Sequence, residues 1–359
     1  MSTRITTVER LHEYLRAAMQ LEHATIPPYL TALYSIRPGT NSDACHIMRV
    51  VAVEEMLHLT LGANMLNAVG GSPDLTAPGF VPDYPAFLPD GETDFQVSRR
   101  RFSLECVQNF LQIERPRKAP DEQSRLVHRS APKAQRLAVV PGEPSMQYYS
   151  IGEFYAEIGR GFRYLHKEMG DALFSGDPAR QVSQEYFYSG GGALVTVTDL
   201  ASAEAAIRLI SEQGEGFGGQ IYDHQRELAH YYRFEQLMLG KYYLAGDEPG
   251  QPTGPALSVD WDSSYPIKQD ARLVDYPAGS ELSAAAIAFN RAYAEFLGLV
   301  TKAFTGRPDL LIEAVTVMFR LRDLMTQLMH NPIPGLDGVN AAPTFEMAAV
   351  APQMATVSP

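Results

Sequence analysis

The stretch Val53-Glu54-Glu55-Met56-Leu57-His58-Leu59 lies in the middle of an apolar pattern that runs from Ile47 to Val69. Within it, Glu55 and His58 are three residues apart, which on an α-helix places a carboxylate and an imidazole on one face, a turn apart. The same face carries apolar or small residues at helical spacing: Val51, Gly62, Met65 and Val69. Both polar side chains are therefore predicted to point toward the core.

An ionised carboxylate is very costly to bury unless something compensates its charge, and a metal ion does so well. An inward-facing Glu-x-x-His pair on a long helix is half of the ligand set of a two-metal site in a ferritin-like four-helix bundle. The alternative is that Glu55 and His58 only satisfy each other in the core. The pair alone does not decide between these two interpretations, so we examine the other long helices for further candidate ligands.

The composition of the 359 residues limits the classes of function. The chain is 45% hydrophobic and 20% charged, with a formal net charge of −12, which argues against nucleic acid and anionic membranes as main partners. No apolar run approaches the length of a transmembrane helix, and the first residues are unlike a secretion signal. Two cysteines, Cys45 and Cys106, cannot form a disulfide scaffold. We therefore expect a soluble, cytoplasmic protein.

The first helix is predicted over residues 6–36, with a capping box formed by Thr6 and Glu9. Its apolar face includes Glu22, which is either a ligand or a salt-bridged carboxylate at the boundary of the core. Pro27–Pro28 is predicted to break or kink this helix, because both residues lack the amide hydrogen and their rings crowd the preceding turn.

Periodicity predicts further helices, a set of irregular segments and a small hairpin. The helices are expected over 42–69, 103–113, 146–173, from 202 to about 216 and again over 226–243, 283–304 and 309–329. The other segments are a long ordered loop over 72–98, a surface crossing or mobile lid over 114–144, the β-hairpin over 185–198 and a second crossing over 246–280.

These elements predict a mainly α protein: a ferritin-like four-helix bundle with long irregular insertions, a small β-hairpin and an extra C-terminal helical hairpin. We expect residues 1–245 to form the metal-binding bundle, residues 246–345 to form the crossing segment and the helical hairpin packed on it, and residues 346–359 to be a loose tail.

Glu153 on the third long helix has two interpretations. Ser150-x-x-Glu153 is itself a capping box, so Glu153 would only tie down the helix start if the helix begins at Ser150. If the helix begins earlier, at Ser145, Glu153 is free to bind a metal. The residues alone leave both interpretations open, with Glu157 one turn further along as another candidate.

The segment after the fourth long helix contains Glu227-x-x-His230, a second match to the metal-ligand spacing. Glu212 and Glu215 lie within reach of the same end of the bundle. Two Glu-x-x-His pairs on separate helices, with glutamates on the two other long helices, match the ligands of a carboxylate-bridged two-iron site.

Several longer stretches resemble a known bacterial family, in this order: LEHATIPPYLTALYS, VEEMLHL, ANMLNAVGGSP, IERP, IGEFY, EQGEG, HYYRF and APTFE. From about Leu11 to Phe345 the chain is similar to the bacterial ferritin-like family that includes the iminophenyl-pyruvate dimer synthases of violacein- and rebeccamycin-type pathways. Those synthases are much longer chains, so the resemblance is to their ferritin-like portion.

The resemblance implies a metal site carried by Glu22, Glu55, His58, Glu153, Glu215 and His230. It favours Glu153 as a ligand over its capping role, and Glu215 over Glu227 as the carboxylate that partners His230. Because the helix is predicted to be interrupted between Glu215 and His230, a mononuclear site is the alternative to a two-metal site. Glu157, Glu212 and Glu227 stay as replacements for Glu153 or Glu215.

Imidazole and carboxylate ligands with an open coordination position suit iron that meets dioxygen. The sequence predicts a metal-dependent oxidoreductase, namely a non-haem iron (Fe²⁺/Fe³⁺) oxidase or oxygenase with up to two ions per chain, manganese being the alternative metal. Its expected partners are O₂ and an amino-acid-derived small molecule of secondary metabolism, as in antibiotic biosynthesis. The alternatives are oxidative coupling of imino acids, an iron-handling ferroxidase and a metal-free binding bundle. A homodimer is one assembly that the sequence allows.

Overall fold

The computed structural model describes residues 4–88, 94–116, 148, 150–187, 190–216 and 220–347. In these ranges it is mostly helical, as predicted, and its β-bridges are isolated ones outside any strand. The helices are α1 (Val8–Ser35), α2 (Ser42–Ala68), α3 (Leu104–Ile113), α4 (Ile151–Met169), α5 (Leu200–Glu215), α6 (His230–Leu239), α7 (Glu281–Ala303) and α8 (Leu310–Met329).

Helices α1, α2, α4 and α5 form the four-helix bundle. α1 packs on α2 and α4 packs on α5, and contacts of α1 with α4 and of α2 with α5 join the two pairs. α6 contacts α2, α3 and α5, so α3 and α6 lie together beside the bundle. Among the described residues, no helix is long and apolar enough to cross a membrane.

The predicted C-terminal helical hairpin is present as α7 and α8, which pack on each other, and α8 also contacts α1. Phe289 and Tyr293 of α7 belong to the same buried cluster as Leu15 of α1 and Leu61 of α2. The hairpin therefore extends the hydrophobic core of the bundle. The division of the chain at residue 245 stays a prediction.

The two prolines of α1 do not end the helix, so of the predicted break or kink after Glu22 the break is wrong and the kink stays a prediction. α1 continues through Pro27 and Pro28 to Ser35. Pro28 cannot donate to the carbonyl of Ala24, four residues earlier. The hydroxyl of Tyr84 donates to that carbonyl instead, at 2.8 Å. An outside donor thus satisfies a backbone group that the proline leaves without its helical partner.

The hairpin predicted over 185–198 is wrong for the residues described there, which form no bridge with one another. Side-chain amides take the backbone groups that a hairpin would pair. Gln181 bonds both the N–H and the carbonyl of Val197 at 2.7 Å. Asn64 donates to the carbonyl of Val195 at 3.0 Å, and Gln184 accepts from the N–H of Leu194 at 2.6 Å. The described residues from Leu194 to Val197 are therefore fastened to the bundle and its neighbouring loop by side chains.

Several predicted boundaries shift. The cap of α1 is Thr7, which accepts from the N–H of Arg10, in place of the Thr6–Glu9 box. α4 begins at Ile151, with Ser150 as its N-cap, and not at residue 146. α5 and α6 are separate helices, which confirms the interruption, but α6 begins at His230 and not at residue 226. Most of the predicted crossing or lid over 114–144, and the tail after residue 347, lie outside the described residues.

Candidate metal centre

Two groups of carboxylates and imidazoles lie at the centre of the bundle and share one residue. The first consists of Glu22 of α1 with Glu55 and His58 of α2, and the second consists of Glu55, Glu114 and His230. In each group, one potential ligand atom from every residue lies within 4.8 Å of the others, and all five residues are buried. Glu114 follows the last residue of α3 and His230 is the first residue of α6.

Glu55 faces a different imidazole with each of its two oxygens. Its Oε2 lies 3.9 Å from Nδ1 of His58, and its Oε1 lies 2.9 Å from Nδ1 of His230. The same nitrogens lie 3.6 Å from Oε2 of Glu22 and 3.5 Å from Oε2 of Glu114. Ligands bound at about 2.1 Å to one ion lie roughly 3 Å apart. The arrangement therefore suits two ions bridged by the Glu55 carboxylate.

The orientation of His58 is set by a chain of two hydrogen bonds. Its Nε2 lies 2.8 Å from Oε1 of Gln213, and Nε2 of Gln213 donates to the carbonyl of Gly191 at 2.6 Å. Because the amide nitrogen of Gln213 is used as a donor, its oxygen must accept the Nε2–H of His58. Nδ1 of His58 is then left with a lone pair directed toward Glu22 and Glu55, as a metal ligand requires.

His230 is held in the same way by a carboxylate. Its Nε2 lies 2.7 Å from Oε2 of Glu54, whose other oxygen lies 3.2 Å from the guanidinium of Arg233. Nδ1 of His230 is buried and makes no hydrogen bond of acceptable geometry with any described residue. An imidazole oriented by a carboxylate, with its other nitrogen unsatisfied, is the usual arrangement of a metal-binding histidine.

The three carboxylates of the centre are also held by neighbouring hydroxyl groups. Oε1 of Glu22 accepts from Tyr155 at 2.6 Å, Oε2 of Glu55 accepts from Thr25 at 3.2 Å, and Oε1 of Glu114 accepts from Tyr29. Burial is the first cause that raises the pKa of Tyr29 and of Tyr155 well above the usual value. Both phenols therefore keep their protons and act as donors to the carboxylates.

Electrostatics show that the centre needs positive charge. Burial, followed by the nearby carboxylate of Glu114, raises the pKa of Glu55 to about 8. Burial alone would lower the pKa of His230, but the facing carboxylates of Glu114, Glu54 and Glu55 raise it well above its usual value. Burial lowers the pKa of His58, but the carboxylates of Glu22 and Glu55 raise it above its usual value. Protons thus compensate the buried carboxylates where no cation does.

The space between the two groups is small. It amounts to about 10 Å³ and is lined by the five clustered residues together with Ile210, Gly214, Glu215 and others. A volume of that order holds a single water-sized particle. The centre therefore has room for ions and not for an organic molecule.

The structure brings four of the six predicted ligands together: Glu22, Glu55, His58 and His230. Glu215, the last residue of α5, lines the same small cavity. Its Oε1 accepts from the backbone N–H of Gly152 at 2.8 Å. Metal binding by these residues stays a prediction.

Glu153 is not in either group and does not line the cavity. Its backbone N–H donates to the Ser150 hydroxyl at 3.2 Å, so it lies in the first turn of a helix that begins at Ile151. This is the helix start that the capping interpretation requires. Glu153 as a ligand therefore stays a prediction, and this helix start favours the capping interpretation.

The three alternative glutamates also lie outside both groups. Glu157 accepts from the backbone of Arg4 at 2.7 Å and pairs with Arg160. Glu212 pairs with His224. The side chain of Glu227 is 68% exposed, so its Glu-x-x-His spacing to His230 does not place it in the core.

Glu114 takes the place that the sequence analysis gave to Glu153. It belongs to the IERP motif, but no ligand role was assigned to it. Val107, Phe110 and Glu114 are spaced by three and four residues, the same pattern that identified Glu55 as a carboxylate on an apolar face. Extending the apolar face of α3 by one step past its end would have found it.

Comparison with known proteins supports the helical fold. Dichlorochromopyrrolate synthase from Lentzea aerocolonigenes is 28% identical over 335 residues, which cover 83% of this chain and 29% of that protein, so the chain spans less than a third of its relative. A crystal structure of a ferritin-like protein from Caulobacter vibrioides has a TM-score of 0.62 at 22% identity, covering 95% of this chain and 99% of that chain, and supports the fold. A ferritin-like family model matches residues 15–239, which include every residue of both groups. The chain therefore belongs to the ferritin-like family.

Proposed function

We propose that this protein is a non-haem iron enzyme that binds two ions between Glu22, Glu55, His58, Glu114 and His230. It would use O₂ to oxidise an amino-acid-derived small molecule of secondary metabolism. The observation that carries the proposal is the sharing of Glu55 between two groups that each contain one histidine. A single bridging carboxylate with one imidazole on each side is the donor set of a two-iron carboxylate centre.

The residues present fit such a pair of ions. Three carboxylates carry up to three negative charges in a space where burial opposes them, and two divalent cations would compensate these charges. Both imidazoles direct Nδ1 toward the carboxylates, and Nδ1 of His230 lacks a hydrogen bond to any described residue. Oxygen and imidazole ligands also suit manganese, which we keep as the alternative metal.

Bound iron would supply the transfer of electrons to dioxygen, which amino-acid side chains do not provide. The chain would supply the positions of the donors. Gln213 and Glu54 fix the tautomers of the two histidines, and Tyr155 and Tyr29 hold a proton at one oxygen of Glu22 and of Glu114. The narrow cavity would keep bulk water away from the reacting centre.

Substrate would approach from the side of the cavity lined by Arg115, Gly214 and Glu215. These lining residues are half-buried, whereas the five clustered residues are buried. Because the cavity itself is too small for an organic molecule, we infer that the substrate stays at this edge. An oxidase reaction there would remove two electrons and two protons from the substrate and convert O₂ to H₂O₂.

A second candidate is the oxidative coupling of two imino acids. It is favoured by the similarity to dichlorochromopyrrolate synthase, of which this chain matches 29%. The same centre would serve either reaction, and the products distinguish them: a monomeric oxidised compound in the first case and a coupled dimer in the second.

Metal content and oxygen consumption test the proposal together. The protein is expressed with added iron, and iron and manganese are counted by mass spectrometry. It is then incubated with O₂ and with the imines of phenylpyruvate and indolepyruvate. We expect about two ions per chain and O₂ consumption that depends on the organic compound. Fewer than about 0.2 ions per chain would overturn the metal proposal.

Consumption of O₂ with Fe²⁺ alone, unaffected by any organic compound, would instead support an iron-handling ferroxidase. Size determination on the same sample compares the homodimer that the sequence allows with a large shell, which such a ferroxidase would form.

A further inference from the structure

A second cavity, of about 110 Å³, lies between α1, α2, α7 and α8. Ile26 and Leu30 of α1 and Met56 and Leu59 of α2 form part of its wall. Successive helical residues differ in direction by about 100°, so His23 and Met56, which directly follow Glu22 and Glu55, face another side of their helices. The cavity shares no lining residue with the small cavity of the metal centre, and nothing in the proposed reaction uses it.

The cavity wall is mostly apolar, and a buried histidine is one of its few polar residues. His23 lines it and is 1% exposed. Its Nε2 is hydrogen-bonded to the hydroxyl of Tyr293 at 2.7 Å, and Tyr293 also lines the cavity. Its Nδ1 is buried and has no hydrogen-bond partner among the described residues. A buried polar atom without a partner destabilises the fold, so a ligand that bonds Nδ1 would bind favourably.

Charge at the cavity is compensated by the protein itself. Arg322, which lies at the outer part of the wall, bonds Asp323 through Nε at 3.1 Å and through Nη2 at 2.9 Å. The hydroxyl of Thr60 is bonded to the carbonyl of Met56 at 2.8 Å. Arg322 and Thr60 are thus paired within the protein, whereas Nδ1 of His23 has no partner among the described residues.

We propose that this cavity is a second small-molecule site, which binds a neutral single-ring aromatic alcohol, a phenol, with its hydroxyl at Nδ1 of His23. A hydroxyl both donates and accepts, so it can pair with Nδ1 in either tautomer of the imidazole. A dry apolar cavity of about 150 Å³ is known to take up a benzene ring, so a space of this order admits one ring. Aromatic side chains, among them Phe296 and Phe304, would pack against that ring.

The test compares phenol with toluene and benzoate, by calorimetric titration of the metal-loaded protein. We expect one phenol per chain, bound at least about 5-fold more tightly than toluene because only phenol satisfies His23. Benzoate should bind most weakly, because its charge would be buried without a counter-ion. Equal affinity for phenol and toluene would overturn the assignment of the hydroxyl to His23.

Variants locate the site. In His23→Phe, phenol should lose its advantage while toluene still binds. Val315→Trp would fill the outer part of the cavity and should abolish binding of both compounds, since Val315 lines it and is 36% exposed, where a larger side chain is tolerated. Ile312→Trp is the matched control: it lies on the same helix, is 54% exposed and does not line the cavity, so binding should be unchanged.

Phenol binding that survives Val315→Trp, or no binding to the parent protein, would overturn the proposal. The metal content of every variant is measured in parallel. It should equal that of the parent, so the outcome at this cavity is independent of the outcome for the metal centre.

Discussion

The metal centre and the apolar cavity lie on different faces of the same two helices, yet their histidines are in opposite electrostatic states. His23, His58 and His230 are each at most 2% exposed. Burial lowers the pKa of His23 to about 3, whereas neighbouring carboxylates raise the pKa of His58 and of His230 despite burial. Burial alone therefore does not decide the charge of an imidazole, and the residues that face it do.

The residues that surround the histidines differ between the two places in the same way. Among the described residues, the hydroxyl of Tyr293 is the hydrogen-bond partner of His23, and most of the surrounding wall is apolar, so a neutral ligand fits. Around His58 and His230 three carboxylates converge, and they need cations or protons to stay buried. Variants that change the centre should thus alter metal content, and variants of the cavity should not.

Removal of Glu55 should have the largest effect. Because Glu55 belongs to both groups, Glu55→Ala should reduce the metal content from about two ions per chain to less than about 0.2 and abolish O₂ consumption. Mass spectrometry measures the metal, and circular dichroism checks the fold. The matched control is Glu227→Ala, which has the same spacing to a histidine but a side chain that is 68% exposed, and it should keep both ions. A Glu55→Ala protein that retains its metal would mean that the ligand set is wrong.

Substitutions at Glu114 and at Glu153 distinguish the ligand set proposed from the structure from the set that the resemblance implies. Glu114→Ala should remove the ion of the second group and leave about one per chain, because Glu22, Glu55 and His58 remain. Glu153→Ala should leave both ions in place, since Glu153 is in neither group. The reverse result, with loss only in Glu153→Ala, would restore the ligand set implied by the resemblance.

This exchange shows what the sequence could predict. Long helices with regular apolar spacing were predicted within a few residues, and Glu22, Glu55 and His58 were found because a charged residue on an apolar face breaks a clear pattern. Glu114 lies one residue beyond the end of a short helix, next to a basic, proline-rich stretch, so only the single step from Phe110 places it on the apolar face. Its place depends on the packing of α3 against α6, which local sequence does not encode.

Pro27 and Pro28 of α1 and the segment predicted as a hairpin over 185–198 differ from the predicted structure for a related reason. Pro27 and Pro28 are tolerated because Tyr84, almost 60 residues away, donates to the carbonyl of Ala24. The segment predicted as a hairpin is held by side-chain amides, including that of Asn64 on α2. Local propensity identified both places as unusual, but contacts with residues distant in the sequence determined their backbone conformation.

The hydrogen bond that orients His58 should contribute less than a ligand does. Gln213→Leu removes the acceptor at Nε2 of His58 and should weaken metal binding by about 10- to 100-fold, the usual effect of losing such a partner. Gln213→Glu keeps an acceptor and should lose less. Competition with a chelator measures both affinities. Equal losses in the two variants would show that the cavity shape, and not the hydrogen bond, matters.

The neutral state of His23 should be visible as a dependence of stability on pH. The unfolded chain binds a proton at this residue below about pH 6.5, whereas the folded protein does so only near pH 3. Between these values the unfolded state holds one proton more, so the free energy of unfolding falls as the pH falls. In urea unfolding, the parent should lose about 2 kcal/mol more than His23→Gln between pH 7 and pH 5. Equal losses would show that His23 becomes protonated in the folded protein.

The smallest expected effect concerns Glu215, at the edge of the centre. A Cβ atom added to Gly152 would lie 2.5 Å from the carboxylate of Glu215, which accepts from the Gly152 N–H, so Gly152→Ala must displace that side chain. At Gly159 on the same helix the nearest atom would be 3.6 Å away, an ordinary contact. Gly159→Ala should stabilise the helix by about 0.5–1 kcal/mol, the usual gain over glycine. In Gly152→Ala the contact is with the end of a flexible side chain, but moving that side chain breaks its hydrogen bond from the Gly152 N–H, worth about 0.5–1.5 kcal/mol, so this variant should lack the rise in melting temperature of its control. If Glu215 completes the coordination of an ion, only Gly152→Ala should also weaken metal binding, because only that substitution moves a carboxylate at the cavity.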